Sequence, residues 1–139
     1  MLKILIVDDT LGWRNFNKEI IEKLFEHCII DLAESARDGY DKVLFADKNP
    51  YDLIITDLQM ESDFAPMIAG EWLVKQILTF KTYKTSQILI ISGMYNIEMT
   101  ADLLGVECLS KRLLISGGEL PMKLKLEEMG YNFDKEKGD

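Results

Sequence analysis

Three short aliphatic runs, Ile4-Leu5-Ile6-Val7, Leu53-Ile54-Ile55 and Ile88-Leu89-Ile90-Ile91, constrain this chain more than any other feature. Each is continuous rather than alternating, the pattern of a strand buried on both faces of a parallel sheet covered by helices. Cys28-Ile29-Ile30-Asp31-Leu32 and Val106-Glu107-Cys108-Leu109 are weaker runs suited to sheet edges. Between the runs the apolar spacing turns helical. Trp13, Phe16, Ile20 and Leu24 predict a helix over residues 11–26, Tyr40, Val43 and Leu44 one over 36–46, and Leu73, Val74, Ile77 and Phe80 one over 70–80. A shorter helix over 97–104 stops at Gly105, and a last one starts after Gly117-Gly118, carries Pro121 in its first turn and ends near Gly130. Strand and helix thus alternate five times, which predicts a doubly wound α/β fold with right-handed crossovers.

At 139 residues one domain is expected, covering residues 1–131, followed by a polar tail from Asn132 to Asp139 and no output domain. With 16 basic and 24 acidic side chains the net charge is −8, which argues against nucleic acid as a ligand. No apolar run approaches the ~20 residues of a membrane span, and the first residues do not read as a signal peptide. A cytoplasmic protein is therefore expected. Cys28 and Cys108 are too few for a disulfide framework or a zinc site and read as small buried hydrophobes.

Ligands of an open parallel sheet bind beyond the carboxyl ends of its strands. The residues there are Asp8 and Asp9 after the first strand, Asp57 after the third, Ser92-Gly93 after the fourth and Ser110-Lys111 after the fifth. Clustered carboxylates repel unless a cation lies among them, and a small set of hard oxygen donors suits Mg²⁺ better than zinc. With a lysine charge and a serine donor added, the set meets the needs of in-line phosphoryl transfer. Asp57, on its own strand, is the best nucleophile, with Asp8 and Asp9 as the metal-binding pair. The plainer alternatives are that Asp8, Asp9 and Thr10 cap the first helix, that Ser92-Gly93 is a simple turn, and that Lys111 is a solvated lysine. Trp13 and Trp72 read as packing residues. His27, the single histidine, reads as a partner of the final helix carbonyls.

In four of these segments the chain resembles a known family. Lys3 to Asp9 (KILIVDD), Tyr51 to Met60 (YDLIITDLQM), Leu89 to Gly93 (LIISG) and Leu109-Ser110-Lys111 are similar to the receiver domain of two-component response regulators, over about residues 2–130. The resemblance implies a flavodoxin-like (βα)5 three-layer sandwich with a five-stranded parallel sheet. It implies Asp57 as acceptor of a phosphoryl group from a histidine kinase or phosphotransfer protein. Mg²⁺ would be held by Asp8, Asp9, Asp57 and the backbone carbonyl of Gln59. Ser92 and Lys111 would contact the phosphoryl group, and Gln59 and Met94 would flank it. Such a chain is a switch rather than an enzyme, and its output runs through a downstream protein effector.

The pattern departs from the family in places. Arg112 replaces the proline expected after Lys111, and Cys108 occupies the place of the aromatic switch residue. The connection after Asp57 is long and acidic, with Glu61 in place of a proline and with Asp63, Phe64 and Pro66, and is expected to form a flap beside the site that modifies access by water or a partner. The stretch from Ser92 to Lys111 is short, so a truncated fourth helix is expected. These departures leave room for two rival readings. One is a receiver-like interaction module that works without phosphate. The other is a haloacid-dehalogenase-like phosphatase, which lacks its Asp-x-Asp signature here.

Overall fold

The computed structural model describes residues 1–60 and 68–133. Five strands, β1 (Leu2–Val7), β2 (Cys28–Ala33), β3 (Leu53–Thr56), β4 (Ile88–Ser92) and β5 (Glu107–Ser110), form one parallel sheet in the order β2-β1-β3-β4-β5. The three aliphatic runs are the three inner strands and the two weaker runs are the edges, as their hydropathy requires. Ile4–Val7, Leu53–Thr56 and Ile88–Ser92 are all buried.

Alternate strand residues feed two separate cores. Leu5, Val7, Ile54, Ile88 and Ile90 pack under α2 (Ala36–Phe45), α3 (Ala69–Ile77) and α4 (Ile97–Leu104). Ile4, Ile6, Leu53, Ile55, Leu89 and Ile91 pack under α1 (Leu11–Leu24), α5 (Lys111–Gly117) and α6 (Glu119–Glu128). This is the three-layer sandwich that the period-2 geometry of strands allows when helices cover both faces.

Helix ends follow local chemistry. The Ser35 hydroxyl accepts the Asp38 N–H at 3.0 Å and so caps α2. α3 ends at Ile77, short of the expected residue 80. There the Thr79 hydroxyl donates to the Gln76 carbonyl at 2.6 Å and closes the final turn. α4 has eight residues and stops at Gly105, so the fourth helix is as short as expected.

One element is invisible to periodicity. α5 starts directly on Lys111, where the Ser110 hydroxyl accepts the Arg112 N–H at 3.1 Å. Seven residues are too few to show a period. Gly118, at φ 64° and ψ −133°, then separates α5 from α6, a backbone conformation open to glycine. The chain therefore has six helices rather than five among the described residues. Packing also continues past Gly130. Phe133, placed by sequence in a frayed tail, is buried against Phe25 with ring centroids 5.0 Å apart. The expected flap residues Glu61, Asp63, Phe64 and Pro66 lie outside the described residues.

Candidate functional site

Strand register brings the acidic residues together. Val7 of β1 pairs with Thr56 of β3, so the next residue on each strand, Asp8 and Asp57, emerge side by side from neighbouring strands. The backbone still holds at this point: Asp8 N–H donates to Ala33 O at 3.1 Å and Asp57 N–H to Val7 O at 3.0 Å. Ser92 ends β4 opposite Ser110 of β5, which leaves Lys111 at the same rim. Carboxylate oxygens of Asp8, Asp9 and Asp57 lie within 4.8 Å of one another. Asp9, Asp57, Gln59, Ser92 and Lys111 line one cleft of about 510 Å³, shared with Thr10, Trp13 and Met94.

The Lys111 ammonium bridges the two buried carboxylates, 2.8 Å from Asp57 Oδ2 and 3.0 Å from Asp8 Oδ2. Asp57 Oδ1 accepts the Leu58 N–H at 2.7 Å and, more loosely, the Gln59 N–H at 3.4 Å. Asp57 thus has one oxygen held by main-chain amides and one facing a cation. Asp8 Oδ1 accepts the Thr10 N–H at 2.9 Å, and its main-chain carbonyl accepts from Arg14 at 2.7 Å. Thr10 occupies the N-cap of α1 and no side chain caps that helix, so the Asp8–Thr10 bond is a turn contact ahead of the helix rather than a cap. Ser92 Oγ accepts the Met94 N–H at 3.2 Å, a turn contact that leaves the hydroxyl proton out of the bond.

Burial sets the electrostatics. It pushes the Asp8 carboxyl above its ordinary range. The Asp57 charge adds to this, while Thr10 N–H and Lys111 only partly offset it. Burial alone would lower the Lys111 ammonium, but Asp57 and Asp8 outweigh it and hold the lysine above its usual value, firmly charged. Three carboxylates against one ammonium leave an excess of negative charge in a cleft built of oxygen donors. That donor set fits a small hard dication such as Mg²⁺.

Sequence reasoning missed two residues. Trp13 packs as expected against the core under α1, but it also lines the cleft, with its ring centroid 4.8 Å from the Lys111 ammonium. The available signal was positional, since α1 begins at the rim and its first turn must lie beside the site. Gly70 was noted only as a helix start, yet a Cβ there would lie 2.0 Å from the Asp57 carbonyl oxygen. Other expectations divide. Trp72 packs against Tyr40, with centroids 5.6 Å apart. His27 is exposed beyond the end of α1, which closes at Phe25 through a bond to Ile21 O, and it stands at the opposite end of the sheet. Cys28 and Cys108 are half-buried rather than fully buried.

Comparison with known proteins agrees with this geometry. A comparison with curated protein sequences gave no significant match. Among solved structures, the chemotaxis protein CheY4 of Vibrio cholerae is similar at a TM-score of 0.71 and 22% identity, covering 93% of this chain and 98% of that one. Response regulator TrrA of Thermotoga maritima, solved with Mg²⁺ and BeF, aligns at 0.68 and 24%, covering 93% and 99%. The N-terminal domain of a Wolinella succinogenes protein aligns at 0.60 and 27%, covering 92% and 99%. These likenesses establish the flavodoxin-like fold. The response regulator receiver domain model matches residues 4–113, the stretch that carries β2 to β5, β1 from Ile4 on, and the whole acidic rim. The chain belongs to the response regulator receiver domain family.

Proposed function

We propose that this chain is a phosphoacceptor switch in which Asp57 takes a phosphoryl group from a histidine kinase or phosphotransfer protein, in a reaction that depends on Mg²⁺. The observation that carries this reading is the Lys111 ammonium set between the buried carboxylates of Asp57 and Asp8. A lysine held at the acceptor offers its charge to the phosphoryl oxygens as they arrive. In the transfer an Asp57 carboxylate oxygen forms the new O–P bond. The P–N bond of a phosphohistidine, or the P–O bond of an acyl phosphate, breaks, and the donor leaves with the electron pair. Leu58 and Gln59 N–H groups fix the acceptor carboxylate, Ser92 can donate its hydroxyl proton to a phosphoryl oxygen, and Lys111 follows the new charge. Asp8, Asp9, Asp57 and the Gln59 carbonyl would hold the Mg²⁺, which supplies charge compensation during transfer. TrrA, solved with Mg²⁺ and BeF, supports that assignment by likeness of fold.

The phosphorylated state would favour one of two pre-existing conformations and thereby change contacts with a downstream effector protein. A phosphate-independent module is the second reading, favoured by Cys108 at the aromatic switch position and Arg112 after Lys111. Intact mass after incubation with acetyl phosphate and Mg²⁺ separates the two. A phosphoryl adduct that disappears in Asp57→Asn is the expected result. Failure to form the adduct would favour the second reading, and an adduct that survives the substitution would move the acceptor elsewhere.

A further inference from the structure

The Lys111 ammonium has a third neighbour besides its two carboxylates. It lies 4.8 Å from the centroid of the Trp13 ring. A lysine ends a flexible four-carbon stem, and two carboxylates do not by themselves fix its approach. An aromatic face beside it adds a further restraint, because the ring's negative face attracts the cation while its bulk limits the stem. The ring is itself held. Phe16, one turn along α1, meets Trp13 edge-on with centroids 5.2 Å apart and planes at 86°.

Trp13 is also a shared wall. It lines the acidic cleft on one side and, on the other, a separate apolar hollow of about 530 Å³ between α1 and α5, lined by Phe16, Leu114 and Ile115. Trp13 packs against the core under α1 and also reaches the rim. It stands half-buried at the boundary, with the site lysine against it.

We propose that Trp13 is a positioning residue for phosphoryl transfer, holding the Lys111 ammonium in line with Asp57. This rests on the phosphoacceptor reading and adds to it a residue outside the acidic set.

The test uses the full chain. With acetyl phosphate and Mg²⁺, Trp13→Leu is expected to slow adduct formation about three- to ten-fold, a range consistent with losing one partly desolvated cation–aromatic contact. Trp13→Phe, which keeps an aromatic face, is expected to recover most of the rate. The Mg²⁺ concentration that half-saturates thermal stabilisation should stay within about two-fold in both variants, because no Mg²⁺ donor is touched. In a Trp72→Phe background Trp13 is the single tryptophan. Its emission should change on Lys111→Met and not on the control Lys81→Met. That readout needs neither metal nor phosphate.

Trp13→Leu phosphorylating at the wild-type rate would overturn the proposal, as would Trp13 emission indifferent to Lys111→Met. A slow Trp13→Phe, equal to Trp13→Leu, would also overturn it, since shape alone would then be at issue. If wild-type protein forms no adduct, it is the phosphoacceptor reading that fails, a result distinct from each of these.

Discussion

Lys111 Nζ lies 2.8 Å from Asp57 Oδ2, joining the residue after β5 to the residue after β3 across the width of β4. Both side chains are nearly excluded from water, at 12% and 6% exposure, so the pair is screened far less than a surface ion pair. Lys111→Met leaves Asp8 and Asp57 facing each other without this ammonium. A loss of about 1–3 kcal/mol is expected in metal-free buffer at neutral pH, where a buried charged hydrogen bond is broken. Adding Mg²⁺ should recover part of it. Because the folded lysine titrates above its ordinary value, its contribution is fully present below about pH 10.4 and fades as pH rises through the folded value. Urea unfolding of wild type and variant between neutral and alkaline pH checks this, and the gap should narrow at the alkaline end.

Asp8 carries the opposite sign. Its folded pKa is raised, chiefly by burial, so the folded protein binds that proton more tightly than the unfolded chain. Ionised Asp8 therefore costs stability at neutral pH, and the cost fades as pH falls through the raised value towards about 3.9. Asp8→Asn keeps an oxygen for the Thr10 N–H and removes the charge. Its metal-free Tm should rise, by about 3–5 °C for each ~1 kcal/mol regained in a chain of this size. Stabilisation by Mg²⁺ should weaken in the same variant if Asp8 is the Mg²⁺ donor proposed above, as mass action requires. Thermal scans with and without Mg²⁺ test both halves.

Gly70 touches the backbone of Asp57, the proposed acceptor. Its N–H donates to Leu58 O at 2.8 Å, and an added Cβ would lie 2.0 Å from Asp57 O and 2.5 Å from Leu58 Cα. Neither neighbour is a movable side-chain end. Gly70→Ala should cost about 3 kcal/mol or more through backbone displacement. Adduct formation should fall with it even at temperatures where the variant is folded, because the shift is passed directly to Asp57. Gly12→Ala, within α1 and with nothing within 4 Å of the new Cβ, is the control and should be neutral to slightly stabilising, by up to about 1 kcal/mol.

Tyr51 tests the fold away from the site. Its hydroxyl donates to Asp31 Oδ2 at 2.6 Å and its N–H donates to the Tyr83 hydroxyl at 3.1 Å, tying the residues before β3 to an edge strand. Burial first, and then Asp31, hold the phenol far above its ordinary value. The neutral form is therefore favoured by folding, and stability should fall as pH rises past about 10. Tyr51→Phe is expected to lose about 1–2 kcal/mol at neutral pH and to show a shallower alkaline decline. Denaturant midpoints across that pH range would contradict this if the two proteins declined in parallel.

The sheet and the acidic rim can be read from the order of residues. Continuous aliphatic runs can be buried only between two helical layers, and the residue after a parallel strand must stand at its carboxyl end, so Asp8, Asp57, Ser92 and Lys111 were legible from position alone. Tertiary structure decided the rest. α5 was hidden because its seven residues are too short for a period and its start depends on one cap, the Ser110 hydroxyl. Phe133 looked like part of a polar tail because only the fold brings Phe25 to it. Gly70 and Trp13 matter through atoms distant in sequence, the Asp57 carbonyl and the Lys111 ammonium. Periodicity reports which face of an element is buried, whereas which groups meet across that face is set by register and packing, and these exist only once the strands have paired.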